Sequence, residues 1–370
     1  VPHFEKMLYT NALLAIAYAE GAAYLDPDYA WAAKRTLEYC IRDMRGEHGG
    51  FFTAQDADSE GVEGKYYVWT PAEVKAVLGD ADGQRFCKLF SITEKGNFEG
   101  KSIPHHIDRD IEQEDWEFAH KCFPLLLSER SKRVQPLTDD KVLTSGNGLM
   151  IAALSVCGRL LHTQAYIDRA TEAARFILGN LTTEGRLLSR WREGHAAHPA
   201  TSDDYAYLIW GLIELYQAAH NPQWLTEAVA WTESMLGLFW DDEKGGLFLS
   251  GSDVEDLPLR LKNIHDGALP SGNAIAASNL IRLTILTGNT VYEDRARALL
   301  EAFSAEMSAY PMGCAGLITA QTALRHGVTE VTIINGDGLK PMLDAAGQFN
   351  PYAVVSVAGK GYDLMATLAP

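Results

Sequence analysis

The chain has 370 residues, 47% hydrophobic and 22% charged, ordinary globular material that can bury roughly 75% of its unfolded surface without disulfide or metal staples. A formal charge of −17 and a pI near 5.1 disfavour a nucleic-acid partner, because phosphate-backbone binding rests on clustered Lys and Arg that release counterions. Cys40, Cys87, Cys122, Cys157 and Cys314 are scattered without C-x-x-C or zinc-ligand spacing and read as small buried hydrophobes of a reducing, cytoplasmic compartment. No apolar run approaches the roughly 18 residues of a membrane span and no secretory signal is visible, so no membrane partner is expected.

Phe4 to Glu20 alternates apolar and polar groups at helical spacing, and Asp28 to Arg45 does so again after the breaker Asp26-Pro27. That predicts an antiparallel helix hairpin. Gly46 ends it, and His48-Gly49-Gly50-Phe51-Phe52 turns into a strand-like run whose returning strand is Lys65-Tyr66-Tyr67-Val68-Trp69. Residues 48–70 therefore read as a long β-hairpin insert carrying Gln55, Asp56, Asp58 and Glu60. Residues 71–140 are the least regular: a short helix from Pro71, another around Phe86 and a longer one from Ile111 to Val134. The basic run Arg130 to Arg133 closes that helix, where cations suit the dipole, and reads as a solvated face.

From there the beat is steady. Helix 146–161 pairs with 164–180, strand-like Arg186 to Trp191 follows, and helix 203–219 pairs with 222–239. Gly245-Gly246-Leu247-Phe248-Leu249 repeats the glycine-then-aromatic turn; helix 271–287 pairs with 291–309, and helix 313–325 follows. In the tail, Val331 to Ile334 and Ala353 to Val357 are buried-strand runs flanking a helix from Leu339 to Ala346. The turn Asn335-Gly336-Asp337-Gly338 reads as an ordinary strand-to-helix turn rather than a phosphate loop.

The first helix of each pair repeats one pattern, a polar lead-in followed by small apolar residues. Asn11, Asn147 and Asn273 each open an apolar run, and Asp203-Asp204-Tyr205 leads a fourth. Helices that cannot each bury a face alone, repeated this way, predict one closed helical array. The expected fold is all-α: an (α/α)6 toroid with short β-hairpin inserts over residues 1–328, its first pair incomplete upstream, and a small β-α-β tail over 329–370. Small residues such as Ala12, Gly148, Gly211 and Ala276 mark the inner helices, whose backbones approach closely.

Several motifs together resemble a known family. Val1-Pro2-His3-Phe4-Glu5-Lys6-Met7-Leu8-Tyr9, the Gly49 to Glu60 run GGFFTAQDADSE, Gly64-Lys65-Tyr66-Tyr67-Val68-Trp69, Asp139 to Ser145, Asp203-Asp204-Tyr205-Ala206 and Pro270-Ser271-Gly272-Asn273 are similar to the spermatogenesis-associated, thioredoxin-domain protein family, over most of residues 1–325. The resemblance implies a six-hairpin toroid like those of glycosidases and N-acylglucosamine 2-epimerases, preceded by a thioredoxin-like domain upstream of Val1. Two departures stand out. Gly146 occupies a position where the family usually has Trp, which removes a flat side chain from the expected central cavity, and no C-x-x-C is present.

The inner helices begin with ionisable groups: His3 and Glu5; Asp139, Asp140 and Lys141; Asp203 and Asp204; His265 and Asp266. These are expected to converge on one mouth of the ring, joined by Gln55, Asp56 and Asp58, with Tyr9, Asn11, Asn147, Tyr205 and Asn273 one turn in. A competing reading is capping, since Asp and Ser before a helix are normal N-caps and first-turn acids suit the dipole; Ser145, Ser202 and Ser271 read as caps. The asparagines either hydrogen-bond substrate hydroxyls or form a polar belt between helices. A glycoside hydrolase would pair Asp140 or Asp204 with Asp56 or Asp58, roughly 6.5–9.5 Å apart for inversion. An epimerase would place His3 and His265 on either side of a sugar carbon. The expected ligand is a sugar, and no metal or cofactor is expected. The alternative is a non-catalytic docking module for a fused redox domain.

Overall fold

The computed structural model describes residues 3–107, 110–254, 257–346, 350 and 353–359. Its α-helices, in chain order, are α1 (Leu8–Tyr24), α2 (Tyr29–Tyr39), α3 (Pro71–Leu78), α4 (Asp80–Leu89), α5 (Gln113–Arg130), α6 (Thr144–Leu160), α7 (Gln164–Asn180), α8 (Ser202–Ala219), α9 (Pro222–Phe239), α10 (Gly272–Thr287), α11 (Thr290–Ala302), α12 (Ser304–Ala309), α13 (Ala315–His326) and α14 (Leu339–Ala346). The chain divides into two compact units, one of residues 1–6 and 54–139, the other of 7–53 and 140–370. Residues 1–2 and 360–370, at the ends of the expected toroid and tail, lie outside the described residues. Among the described residues no helix is long and apolar enough to cross a membrane.

The first unit has its own core, with Trp69, Val74, Phe86, Phe90, Ile92, Ala119 and Leu126 packed between α3, α4 and α5. A reciprocal capping box starts α3: Thr70 and Glu73 satisfy each other's backbone N–H, and Pro71 gives up a donor that had no partner in the first turn. Residues 48–70 do not form the expected long hairpin. Ala54–Gln55 pairs with Thr138–Asp139 and Asp58–Ser59 with Val62–Glu63, while Trp69 bridges Ser102. Trp69 is buried in the core of this unit, and arginines lie over both rings, Arg130 5.2 Å over Tyr66 and Arg133 4.2 Å over Trp69.

In the second unit the inner helices α1, α6, α8, α10 and α13 pack successively against one another, and α2, α7, α9 and α11 each lie outside their partners. The inner helices α6, α8 and α10 are buried along most of their length because neighbours flank them on both sides; along α8 only Asp203, Trp210, Ala218 and Ala219 escape burial. The small residues show how close the backbones come. A β-carbon on Gly148 would lie 2.5 Å from the Tyr207 carbonyl carbon, and one on Gly211 2.6 Å from the Gly148 oxygen. Thr201 makes a capping box with Asp204 for α8, Ser271 caps α10, and Asn221 and Asn289 cap α9 and α11. Ser145 and Ser202 do not take the capping role read from the sequence, since α6 has no side-chain cap of its own and Thr201 serves α8.

Between α7 and α8 the strand Arg186–Arg192 pairs antiparallel with Val142–Leu143, Thr182–Thr183 and His195–Pro199. The tail is a parallel pair, Thr329–Ile334 with Ala353–Ala358, connected through α14. It joins α8 where the Val355 N–H donates to Gln217 Oε1 at 3.0 Å.

Candidate functional site

The inner asparagines have a definite task. Asn147 is fully buried; its Oδ1 accepts from the Phe51 N–H at 2.8 Å, and its Nδ2 donates to the Phe51 carbonyl at 2.9 Å and the Leu143 carbonyl at 3.0 Å. Asn273 repeats this on Leu247, at 2.8 Å and 3.0 Å, with a third bond to the Asn263 carbonyl at 2.8 Å. Phe51 and Leu247 each follow a Gly-Gly pair, so one amide substitutes for a missing strand partner at each glycine-aromatic turn. Among the described residues Asn11 makes one bond, the local one from Nδ2 to the Met7 carbonyl at 2.8 Å. Neither of the two roles read from the sequence describes these side chains, because their donors go to backbone carbonyls.

The acids tie the starts of successive inner helices together. Asp204 is buried; its Oδ1 accepts from the Ser145 N–H of α6 at 3.0 Å, while its Oδ2 accepts from Thr201 N–H at 2.9 Å and Oγ1 at 3.1 Å. Burial raises its proton affinity, and the donors from Thr201 and Ser145 oppose that rise. Asp266 accepts from Ser271 N–H at 2.8 Å and from Gly316 N–H of α13 at 2.7 Å. Between them stands Asp203, half-buried, whose Oδ1 is buried without a hydrogen-bond partner and presses on Gly272, where a β-carbon would lie 2.0 Å from it. Burial, reinforced by the adjacent Asp204 charge, pushes the Asp203 carboxyl up to about 6, with Asn263 and the Gly272 backbone pulling the other way. Tyr207 completes the cluster: its hydroxyl donates to the Pro270 carbonyl, and burial with the charges of Asp203, Asp266 and Asp204 raises its proton affinity.

The remaining expected residues fall in several places. Tyr205 is fully buried, its hydroxyl accepting from Arg186 at 2.9 Å and from the Leu187 N–H at 3.1 Å. His265 is exposed, edge-on to Tyr310, with Nδ1 3.8 Å from Cys314 Sγ. Asp140 pairs with Arg192 at 2.7 Å and lines a cleft with His48, Phe52 and Trp191, and the Lys141 carbonyl accepts from Thr53. Tyr9 is half-buried against the core of the second unit, and Gly146, also half-buried, leaves room, since a β-carbon there would meet only Leu8 at 3.4 Å. His3, Glu5, Gln55, Asp56 and Asp58 belong to the first unit, so the acid pairs drawn from the sequence are split between the units. There His3, Glu5, Asp56 and Asp58 are exposed, and Gln55 Oε1 accepts from Tyr67 at 2.8 Å. Sequence reasoning missed Lys6, whose ammonium lies 4.0 Å over the Tyr67 ring and is pushed down to about 8 by burial and the Arg130 charge. A lysine two residues after Phe4, at the head of an apolar helical run, was the available signal.

The human spermatogenesis-associated protein 20 is 33% identical over 90% of this chain, and an uncharacterised protein of Caenorhabditis elegans is 26% identical over 93%. The chain is a relative of spermatogenesis-associated protein 20. It spans about half the length of the curated relatives it matches, 48% of the human protein. No family model matches it. Among solved structures, a GH76 α-mannanase of Bacteroides thetaiotaomicron superposes with a TM-score of 0.52 at 11% identity, covering 97% of this chain and 82% of that one. At that identity the likeness establishes fold alone, and the fold class is the all-α (α/α)6 toroid that the helix hairpins imply.

Proposed function

We propose that the chain is a carbohydrate-active domain whose chemistry centres on the starts of α8 and α10, with Asp203 as the proton donor. The observation that carries this reading is the Asp203 carboxyl: half-buried, with one oxygen lacking a hydrogen-bond partner, and pushed up to about 6 by burial and by the adjacent Asp204 charge. Neighbouring acids whose environments separate their proton affinities are what glycoside hydrolysis and sugar epimerisation require. Asp204 is occupied in capping, so the acid role expected for it passes to Asp203. The companion base is sought in His265, which leads into α10 and is exposed. The likeness to an α-mannanase supports the choice of substrate class through the fold.

The test is a screen of neutral mono- and disaccharides by thermal shift, followed by turnover assays on any binder. Asp203→Asn is expected to keep binding and lose turnover by about a hundredfold or more, the usual contribution of a positioned acid. A panel that neither shifts the melting temperature nor turns over defeats the proposal. A second reading, a docking module for a thioredoxin-like domain in the cytoplasm, is favoured by the engagement of Asp204, Asp266, Asn147 and Asn273 with backbone donors and acceptors and by five free, buried cysteines. Sugar-independent capture of a purified thioredoxin-like domain would select it.

A further inference from the structure

The first unit sets two cations against one aromatic ring. Phe4 is buried and stacks on Tyr67 with ring centroids 5.8 Å apart, while Tyr66 meets Tyr67 edge-on at 5.0 Å. Gly64 makes room for this arrangement, since a β-carbon there would lie 2.7 Å from the Phe4 ring. The Lys6 ammonium sits 4.0 Å over the Tyr67 ring, and the Arg130 guanidinium lies 5.4 Å over the same ring. Lys6 donates to the neutral Phe4 carbonyl at 2.6 Å, and Arg130 Nε is buried without a hydrogen-bond partner. Among the described residues no carboxylate pairs with Lys6 or with Arg130. Like charges held together without an acid disfavour the charged form of whichever group can release a proton, and a guanidinium cannot. The strain therefore falls on Lys6, which burial and the Arg130 charge push down to about 8. On the order of a tenth of it is then free amine at pH 7. Lys6 is half-buried, so part of the side chain meets solvent.

We propose that Lys6 is a carbonyl-reactive amine that forms an imine with a small oxo acid, whose carboxylate Arg130 holds. A lysine desolvated beside a second cation is an activated nucleophile, and a guanidinium without an acid partner suits a carboxylate. The amine lone pair attacks the keto carbon and a C–N bond forms. The nitrogen gives one proton to the carbonyl oxygen, yielding a carbinolamine, and its second proton leaves with that oxygen as water. The products are the imine and one water, with no change of oxidation state. The site shares no residue with Asp203 and stands whether or not the domain acts on sugars.

The test is reductive trapping of the intact chain with pyruvate and sodium cyanoborohydride near pH 7, followed by peptide mapping. Lys6 should be labelled about tenfold or more faster than Lys34, which is exposed on α2. Acetone, which has no carboxylate, should show a smaller preference for Lys6, and Arg130→Gln should reduce the preference with pyruvate. In urea the two lysines should label alike, which ties the preference to the fold. The proposal falls if pyruvate labels Lys6 no faster than Lys34, or if the preference survives in urea. It falls equally if acetone matches the preference shown by pyruvate, or if a folded Arg130→Gln protein keeps that preference in full.

Discussion

Replacing Asn147 with alanine separates the structural task of the inner asparagines from a substrate-binding one. The substitution removes three hydrogen bonds of 2.8, 2.9 and 3.0 Å and strands both the N–H and the carbonyl of Phe51, a residue with no solvent access. A buried backbone group without a partner costs about 1–3 kcal/mol, so two such groups set the expected loss at about 2–6 kcal/mol. That is a large part of the roughly 5–15 kcal/mol by which domains are stable. Asn11→Ala is the internal control, because that half-buried side chain makes one local bond and should lose only about 1 kcal/mol. Urea unfolding of both variants, followed by near-ultraviolet circular dichroism and tryptophan fluorescence, gives the two losses on one scale. Equal losses, or a stable Asn147→Ala protein that merely fails to bind sugar, would refute the clamp.

Gly148→Ala should destabilise by about 1–3 kcal/mol or prevent folding, since its β-carbon would meet the Tyr207 backbone at 2.5 Å; a thermal melt equal to wild type would contradict the close approach of α6 and α8. For Asp203, the carboxyl loses its proton near 3.8 in the unfolded chain and near 6 in the fold, so its contribution is complete below pH 3.8 and disappears as pH rises to about 6. Asp203→Asn removes that loss, and its advantage over wild type should grow across this window to about 1–2 kcal/mol, a two-unit shift discounted for partial solvent access; pH-dependent melts that run parallel would refute the assignment. Glu214→Gln leaves Arg159 and Arg282 facing each other without their shared carboxylate and should cost about 3–5 kcal/mol, read from the urea midpoint.

The helix hairpins were legible because their signals are local: apolar spacing, Gly and Pro breakers, and small residues marking inner helices. The expected helix over 291–309 is interrupted at Phe303 between α11 and α12, and Phe303 is itself buried. The hairpin over 48–70 was misjudged because alternating aromatics mark burial on any surface; here Trp69 packs into the core of the first unit, and Arg130 and Arg133, some 65 residues downstream, lie over the Tyr66 and Trp69 rings. Asn147 was conspicuous, but its partner Phe51 lies 96 positions away and nothing local announces the bond. Asp203 and Asp204 look alike in sequence, and only the fold assigns one to Ser145 and leaves an oxygen of the other without a partner. Glu214, a lone acid between Ile213 and Leu215, carries no local sign in the sequence that it is buried with Arg159 and Arg282.

The amide bonds from Asn147 to Phe51 and from Asn273 to Leu247 bear on how the molecule can be cut. Each staples a helix to a turn made earlier in the chain, so a truncation placed at a hairpin boundary severs a stitch even where no helix is broken. Fragments ending between Phe51 and Asn147 should therefore express poorly alone, yet regain order when mixed with the complementary piece.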